Sequence, residues 1–488
     1  MQQKTDKIIL YSALGYLILP ILLFTSLWLA WYICVPMLAF FALCIAKTLF
    51  GKHKTEFKDI APENKFTQKL LLILFISMIW VAISGVGGFG FQNQDLHWRN
   101  VIFQDLVRFD WPVIFTAFGG KDIMCYYLVY WLPAAFVGKI TGSLVIADLA
   151  LYVWTVLGVF LALYLFARNL RKIRPIYILI FILFSGMDVV LHMIHYLSLP
   201  VPGFHLEWSF PLQFSSFTTT LFWVFNQTLA PWIIVMLLLA SKNNKSTVFL
   251  FSLCLPSAPL PCLGLFPIAA IMVLTGHTDK LGDKKGLKNR MTALWENIKS
   301  AITIQNLLIP LSLLFIFYQY YSLNSRTEEF SMFLEVFSRR RVLFILFEFG
   351  ILSLLISPMF YKKPLYWVIN ITLVFIALYE GSMKSDLIMR ASIPSLVVLC
   401  FYTVTWIKNR PASVSKVHVA AVAIVLIVGA ITPANEILRS LHYMTFEKDK
   451  LIAGRFNSIE DDSRGKIFAN FVGVDAQDSF FYKYLARK

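Results

Sequence analysis

Apolar residues run along this chain in long blocks, broken by short basic stretches and a few longer polar ones. The blocks cover about 9–30, 32–50, 69–88, 143–167, 175–191, 228–241, 246–257, 261–275, 302–321, 342–360, 365–379, 389–407 and 416–431. A helix needs roughly 20 apolar residues to span hydrocarbon. The pattern therefore predicts an all-α polytopic transmembrane helix bundle of about thirteen spans over residues 1–431, followed by an external C-terminal tail, 432–488. Two blocks, 246–257 and 261–275, are short and joined by LPSAPLPCLG, whose prolines and glycine break a helix. They read as two spans or as one broken hairpin that does not fully cross.

Composition supports the membrane reading. Of 488 residues, 58% are apolar and 15% charged, against roughly 45–50% and about 25% in soluble domains. An ordinary soluble enzyme and a disordered chain are excluded. The net charge of +16 would suit nucleic acid, but the basic residues sit in short loops on one side of the threading. That is the bias of cytoplasmic loops, so no nucleic-acid partner is expected. It predicts a cell (inner or plasma) membrane protein with a cytoplasmic N-terminus and an external C-terminus. Met1–Lys7 leads into an apolar run with no cleavage site, which reads as the first span. The six cysteines show no regular spacing and no CxxC pair, so they read as packing residues. Residues 123–138, IMCYYLVYWLPAAFVG, resemble a span, but a crossing there would put Arg168, Arg171, Lys172 and Arg174 outside. They are expected to form an interfacial or re-entrant helix within the outer loop 85–142.

The outer loops are long and carry the candidate chemistry, as long loops in compact proteins often do. The first holds Asp95, His97, Arg99 and Asn100, then Asp105, Asp110 and Trp111-Pro112. A carboxylate under an apolar roof can serve as general base toward an acceptor hydroxyl. A solvated loop carrying ordinary charges is the simpler alternative for any one of these acids. The second loop holds His192, His195, His205 and Glu207, followed by Asn226 and Gln227. It reads as a polar and aromatic substrate wall more readily than as a metal cluster, because the spacing fits no ligand motif. A third segment, EGSMKSDLIMRASIP, sets Lys384, Asp386 and Arg390 at the mouth of a span. Asp386 and Arg390, four apart, either pair on one helical face or leave the guanidinium for a phosphate. Arg339, Arg340 and Arg341 precede another span on the same side, where an anionic headgroup or lipid-linked phosphate would hold them. Glu348 lies inside a span, a position that is functional by default. There is no Walker loop, GxGxxG or HExxH and no internal repeat.

Three stretches resemble the C-type (GT-C) integral membrane glycosyltransferases. They are QNQDLHWRNVIFQDLVRFDWPV, similar to an acidic outer loop; YYLVYWLPAAFVGKITGSLVIADLALYVWTVLGVFLALYLFARNLRK, similar to an outer helix and the following span; and MKSDLIMRASIP, which looks like an Asp-x-x-x-Arg outer motif. The acidic loop follows the third apolar block rather than the first, so residues 1–50 would be an added hairpin, and no DxD is present. The resemblance implies an inverting glycosyltransferase that uses polyprenyl-phosphate-linked sugars on the non-cytoplasmic face, with a glycan, lipid or protein hydroxyl as acceptor. Asp95 would be the catalytic base and Arg390 a ligand of the donor phosphate. No cofactor is implied, and a divalent metal has no support in the motifs. The rival readings are a secondary transporter or flippase of a lipid-linked or anionic substrate, a polysaccharide polymerase or ligase, and a non-catalytic membrane scaffold.

Overall fold

The computed structural model describes residues 2–50, 54–117, 119–201, 204–210, 212–278, 287–324, 332–334, 338–381, 383–446, 457–462 and 465–488. In chain order, α1 (Gln2–Trp28), α2 (Trp31–Leu49) and α3 (Phe66–Ser84) lead to α4 (Gln94–Arg108), β1 (Ile114–Phe115), β2 (Asp122–Met124) and α5 (Leu132–Thr141). Next come α6 (Leu144–Asn169), α7 (Pro175–Ile182), α8 (Asp188–Tyr196), α9 (Phe217–Ala240), α10 (Thr247–Ser252), α11 (Pro259–Thr275), α12 (Leu287–Ala301) and α13 (Ile304–Tyr321). The rest comprises β3 (Met332–Leu334), α14 (Arg339–Ile345), α15 (Ile351–Phe360), α16 (Pro364–Leu378), β4 (Tyr379–Gly381), α17 (Lys384–Ala391), α18 (Ile393–Asn409), α19 (Lys416–Gly429), α20 (Ile431–Phe446), α21 (Lys466–Phe471) and β5 (Val472–Gly473).

Among the described residues, eight helices are long and apolar enough to cross a membrane, or nine if α12 and α13, bent by 70°, form one span. The protein is an α-helical membrane bundle. The eight correspond to eight of the apolar blocks; the segments at 175–191, 246–257, 261–275 and 365–379 give shorter helices. Helix α10, with six residues, is too short to span hydrocarbon. The Thr247 and His277 side chains meet at 2.7 Å, while the turn between the arms reaches Tyr321, whose hydroxyl donates to the Pro256 carbonyl at 2.7 Å. The segment 247–277 is thus a broken hairpin that returns to the end where it began.

Helix α9 runs through the centre and is buried on all sides, as expected of a helix apolar all round. It starts eleven residues before the block read from the sequence, because its first turns, FTTTLFWVFNQ, are polar enough to resemble a loop. One end of the bundle carries the basic loops. There Arg168 grips Asp6 with two bonds, 2.6 and 2.9 Å, and Tyr164 adds a third at 2.7 Å, tying α6 to α1.

The opposite end, here the loop face, carries α4, β1, β2 and α5. Residues 128–141 form a helical stretch too short to cross, and Lys139 returns to Phe109 at 2.5 Å in the same loop. Residues 431–446 are helical, so the segment expected as the start of a tail continues the last helix. The remainder of the C-terminal part is built into the loop face. β5 pairs antiparallel with β2, which pairs with β1. Beyond it, the Arg487 amide donates to Trp28 and the Ala30 amide to Leu485.

Candidate functional site

Helix α4 opens with a cap that also fixes its place. The Asn93 side-chain oxygen accepts the Leu96 amide at 2.9 Å, while its Nδ2 donates to the Phe222 carbonyl of α9 at 2.9 Å. That one residue registers the first turn of α4 against α9 immediately before the latter kinks. At Val224 the backbone leaves helical geometry (φ −136°, ψ 37°), and the Thr228 hydroxyl donates to the carbonyls of both Thr220 and Val224. Pro231 lies one turn on from Gln227 and cannot return an N–H to its carbonyl. Asn226 and Gln227 therefore sit between two breaks.

Around this point four elements converge. Asp95, in the first turn of α4, is about half exposed and accepts from Arg99 Nη2 at 2.9 Å. Arg99 is buried, and its Nε and Nη1 have no protein partner. Asn226 Nδ2 reaches the Tyr127 carbonyl at 3.5 Å; its Oδ1, and both polar atoms of Gln227, are buried without partners. Arg390 of α17 is buried, bonds Asp386 at 3.1 Å and leaves its Nε unpartnered. Asp386 and Asp95 lie close enough for their charges to act on the Arg390 guanidinium, and Tyr126 and Tyr127 neighbour it. Buried polar atoms in folded proteins are nearly all satisfied, so this concentration of orphaned donors and amides has the chemistry to receive a polar, anionic guest.

The loop that carries Tyr127 is pinned from below. The Tyr320 hydroxyl donates to Met124, and Asn324 Nδ2 donates to the carbonyls of Cys125 and Asn470, each at 3.0 Å. Burial pushes the Tyr127 phenol up, opposed by Arg390.

Other expected site residues are placed elsewhere. His97 faces Trp98, and burial lowers its pKa. Asn100 donates to Gln92, whose amide donates to the Gly85 and Gly90 carbonyls, so it braces the glycine turn rather than facing Asp95. Asp105 is fully buried and accepts the Ile459 amide at 2.9 Å. It joins α4 to the C-terminal segment through that bond. Burial, aided by Glu460 and opposed by the Ile459 amide, Ser458 and Arg108, raises its carboxyl to about 7. Lys384 pairs with Glu380. Arg339 and Arg340 are exposed. The buried member of that triplet is Arg341, which donates to Ala377, Tyr379 and Glu380 and joins α14 to β4.

His205 and Glu207 belong to a second buried cluster. His205 Nδ1 contacts Glu436 at 2.5 Å, and Trp223 Nε1 donates to the other Glu436 oxygen at 3.0 Å. Arg439 pairs with Glu436 and lies over the Trp223 ring. Burial alone would lower the His205 pKa; Glu436 more than offsets it. Glu207 accepts from Gln213 and the Ser216 amide, and burial followed by the charge of Asp188 pushes it up to about 7. Asp188 and Glu348 complete the group, each buried and acting electrostatically on the other. His192 instead meets Ser209 at 2.7 Å. No set of three His, Cys, Asp or Glu side chains among the described residues could hold a metal ion.

Sequence reasoning missed Asn93, Tyr127, Glu436 and Arg439. For the last two the signal was there: Glu436, Arg439, Ser440 and Tyr443 recur at helical spacing inside what read as a tail. Set beside family models, curated proteins and solved structures, the chain has no match.

Proposed function

We propose that this protein is an integral membrane glycosyltransferase that moves a sugar from a polyprenyl-phosphate donor to an acceptor hydroxyl on the non-cytoplasmic side, with a cytoplasmic N-terminus and its helices in a GT-C-like arrangement. The observation that carries the reading is a half-exposed carboxylate, Asp95, sharing its surroundings with two buried and incompletely bonded guanidiniums, Arg99 and Arg390. In the reaction the acceptor hydroxyl attacks the anomeric carbon and gives its proton to Asp95. The anomeric carbon–oxygen bond to phosphate breaks on the opposite face, with inversion. Polyprenyl phosphate leaves as the anion, and Arg390 offsets the charge that grows on it. Asn226 and Gln227 supply amides for sugar hydroxyls. Arg99 orients Asp95 through the bond from its Nη2.

The test is release of polyprenyl phosphate from a panel of polyprenyl-phosphate hexoses and pentoses by the whole protein in nanodiscs. Asp95→Asn abolishes release while the protein stays folded. Arg390→Ala chiefly raises KM for the donor. Full activity in Asp95→Asn removes it as base, and no release from any donor sinks the reading.

One observation favours a second reading, a proton-coupled transporter or flippase. Asp188, Glu207 and Glu348 are three buried carboxylates within electrostatic reach of one another, a suitable place for a carried proton. Proteoliposomes loaded with a pH dye separate the two: a lipid-linked substrate that drives proton flux without bond cleavage supports transport.

A further inference from the structure

Helix α13 crosses the bundle. At the basic end the Thr303 hydroxyl, just before it, donates to the Lys245 carbonyl at 2.8 Å; at the loop face the Tyr320 hydroxyl donates to Met124. Helix α12, which precedes it, is bent away by 70°, so it lies within about 20° (90° minus 70°) of the plane across α13. Asn297 fixes it at the basic end. Its carbonyl accepts from Asn244 Nδ2 at 3.0 Å, and its own Nδ2 donates to the Leu274 carbonyl at 2.8 Å.

The residues of α12, LKNRMTALWENIKSA, fall into three stripes by helical phase. Ala293, Leu294, Asn297, Ile298 and Ala301 are half-buried or buried on the side toward α11. Asn289, Thr292, Glu296 and Ser300 make an exposed polar stripe, which carries the one carboxylate of the helix. Lys288, Met291, Trp295 and Lys299, at i, i+3, i+7 and i+11, make the third, and all four are exposed. Met291 and Trp295 are 63% and 56% exposed, and Lys299 lies over the Trp295 ring at 5.3 Å. With Arg290, the helix carries three cations against Glu296; the preceding DKLGDKKG adds three lysines against two aspartates. Lys245 is a further cation of the adjoining loop.

A stripe with an apolar centre and a lysine at each end, on a helix lying across the bundle, matches the headgroup layer of a bilayer. Tryptophan favours that depth, and lysine stems reach from it to phosphates. The positive balance suits an anionic leaflet. We infer that α12 is an in-plane anchor on the leaflet at the basic end, with Met291 and Trp295 below the headgroups and Lys288 and Lys299 on the phosphates of anionic phospholipids. The inference is independent of the glycosyltransferase reading.

The experiment uses the whole protein carrying Cys34→Ser, the other five cysteines being buried, in phosphatidylcholine nanodiscs with and without phosphatidylglycerol. A fluorophore is attached at Met291→Cys or at Thr292→Cys, sequence neighbours on different stripes. Lipids with a nitroxide just below the headgroup quench the label at 291, and acrylamide in the water quenches the label at 292. At 291, nitroxide-bearing phosphatidylglycerol quenches in preference to nitroxide-bearing phosphatidylcholine. Lys288→Gln/Lys299→Gln lowers that preference about 25-fold, at about fivefold per cation, whereas Lys483→Gln on the loop face leaves it unchanged. Melting in phosphatidylcholine alone shows whether the double variant folds; if it does not, Lys299→Gln is read in its place, with a loss of about fivefold. A label at 291 quenched by acrylamide and not by lipid overturns the inference, since the helix then stands off the bilayer. A label quenched by neither also overturns it, because a protein surface then covers the stripe. Equal quenching by the two lipids, or a preference that survives in the double variant, overturns the phosphate contacts.

Discussion

Asp105 is the residue whose replacement tests the architecture of the loop face most sharply. Its carboxyl is buried beneath the C-terminal segment, accepts the Ile459 amide and titrates at about 7, against an ordinary 3.8. The docked state therefore prefers the protonated acid, and the state with the segment lifted prefers the carboxylate. The stabilisation is complete below pH 4 and is lost as pH rises through 7. A difference of 3.2 units (7 minus 3.8) corresponds to about 4 kcal/mol in all, of which roughly 2.5 kcal/mol falls between pH 5 and pH 8. Hydrogen exchange at Ile459, corrected for the intrinsic pH dependence of exchange, should lose protection by about 70-fold over that range, since 1.4 kcal/mol is tenfold. In Asp105→Asn the amide oxygen still accepts the Ile459 N–H but cannot ionise, so protection should stay flat and exceed wild type at pH 8. Constant protection in wild type, or the same decline in the Asn variant, would refute the argument.

Gln227→Leu replaces a buried amide with no partner by an apolar group of similar size. It should stabilise the protein by about 1–3 kcal/mol in thermal unfolding while cutting sugar transfer at least tenfold; lower stability with full activity would show Gln227 to be structural. Gly264→Ala sets a methyl group into the Ala391 carbonyl, displacing the end of α17 next to Arg390. A loss of about 1–3 kcal/mol with reduced transfer is expected, and an unchanged melting temperature contradicts the packing. Asp6→Asn leaves Arg168 buried without its counter-charge and should cost about 3–5 kcal/mol in denaturant unfolding. Pairing it with Arg168→Met should restore much of that, and no recovery would mean the cost lies elsewhere.

The long helices were legible because twenty apolar residues in a row have few other uses. The start of α9 was not, since its Thr-rich turns are polar yet buried against other helices, and only tertiary packing shows that. The Asp95–Arg390 neighbourhood could be suspected from residue types, but the sequence could not separate Asp95 from Asp105, both acids on one short helix. What separates them is the C-terminal segment, some 350 residues away, which covers one and leaves the other open. A separation of 231 residues likewise hid Glu436 from His205. In the arginine triplet, helical phase alone decides that Arg341 turns inward while its two neighbours do not.

The three-stranded sheet orders events during synthesis. β1 and β2 leave the ribosome before most of the membrane helices exist, whereas β5, which closes the free edge of β2, is made some 350 residues later. A nascent chain halted near residue 446 would already hold all eight long helices, but β2 would lie open and Asp105 would have no amide to receive. The face carrying Asp95 thus closes only after the eight long helices among the described residues have been made.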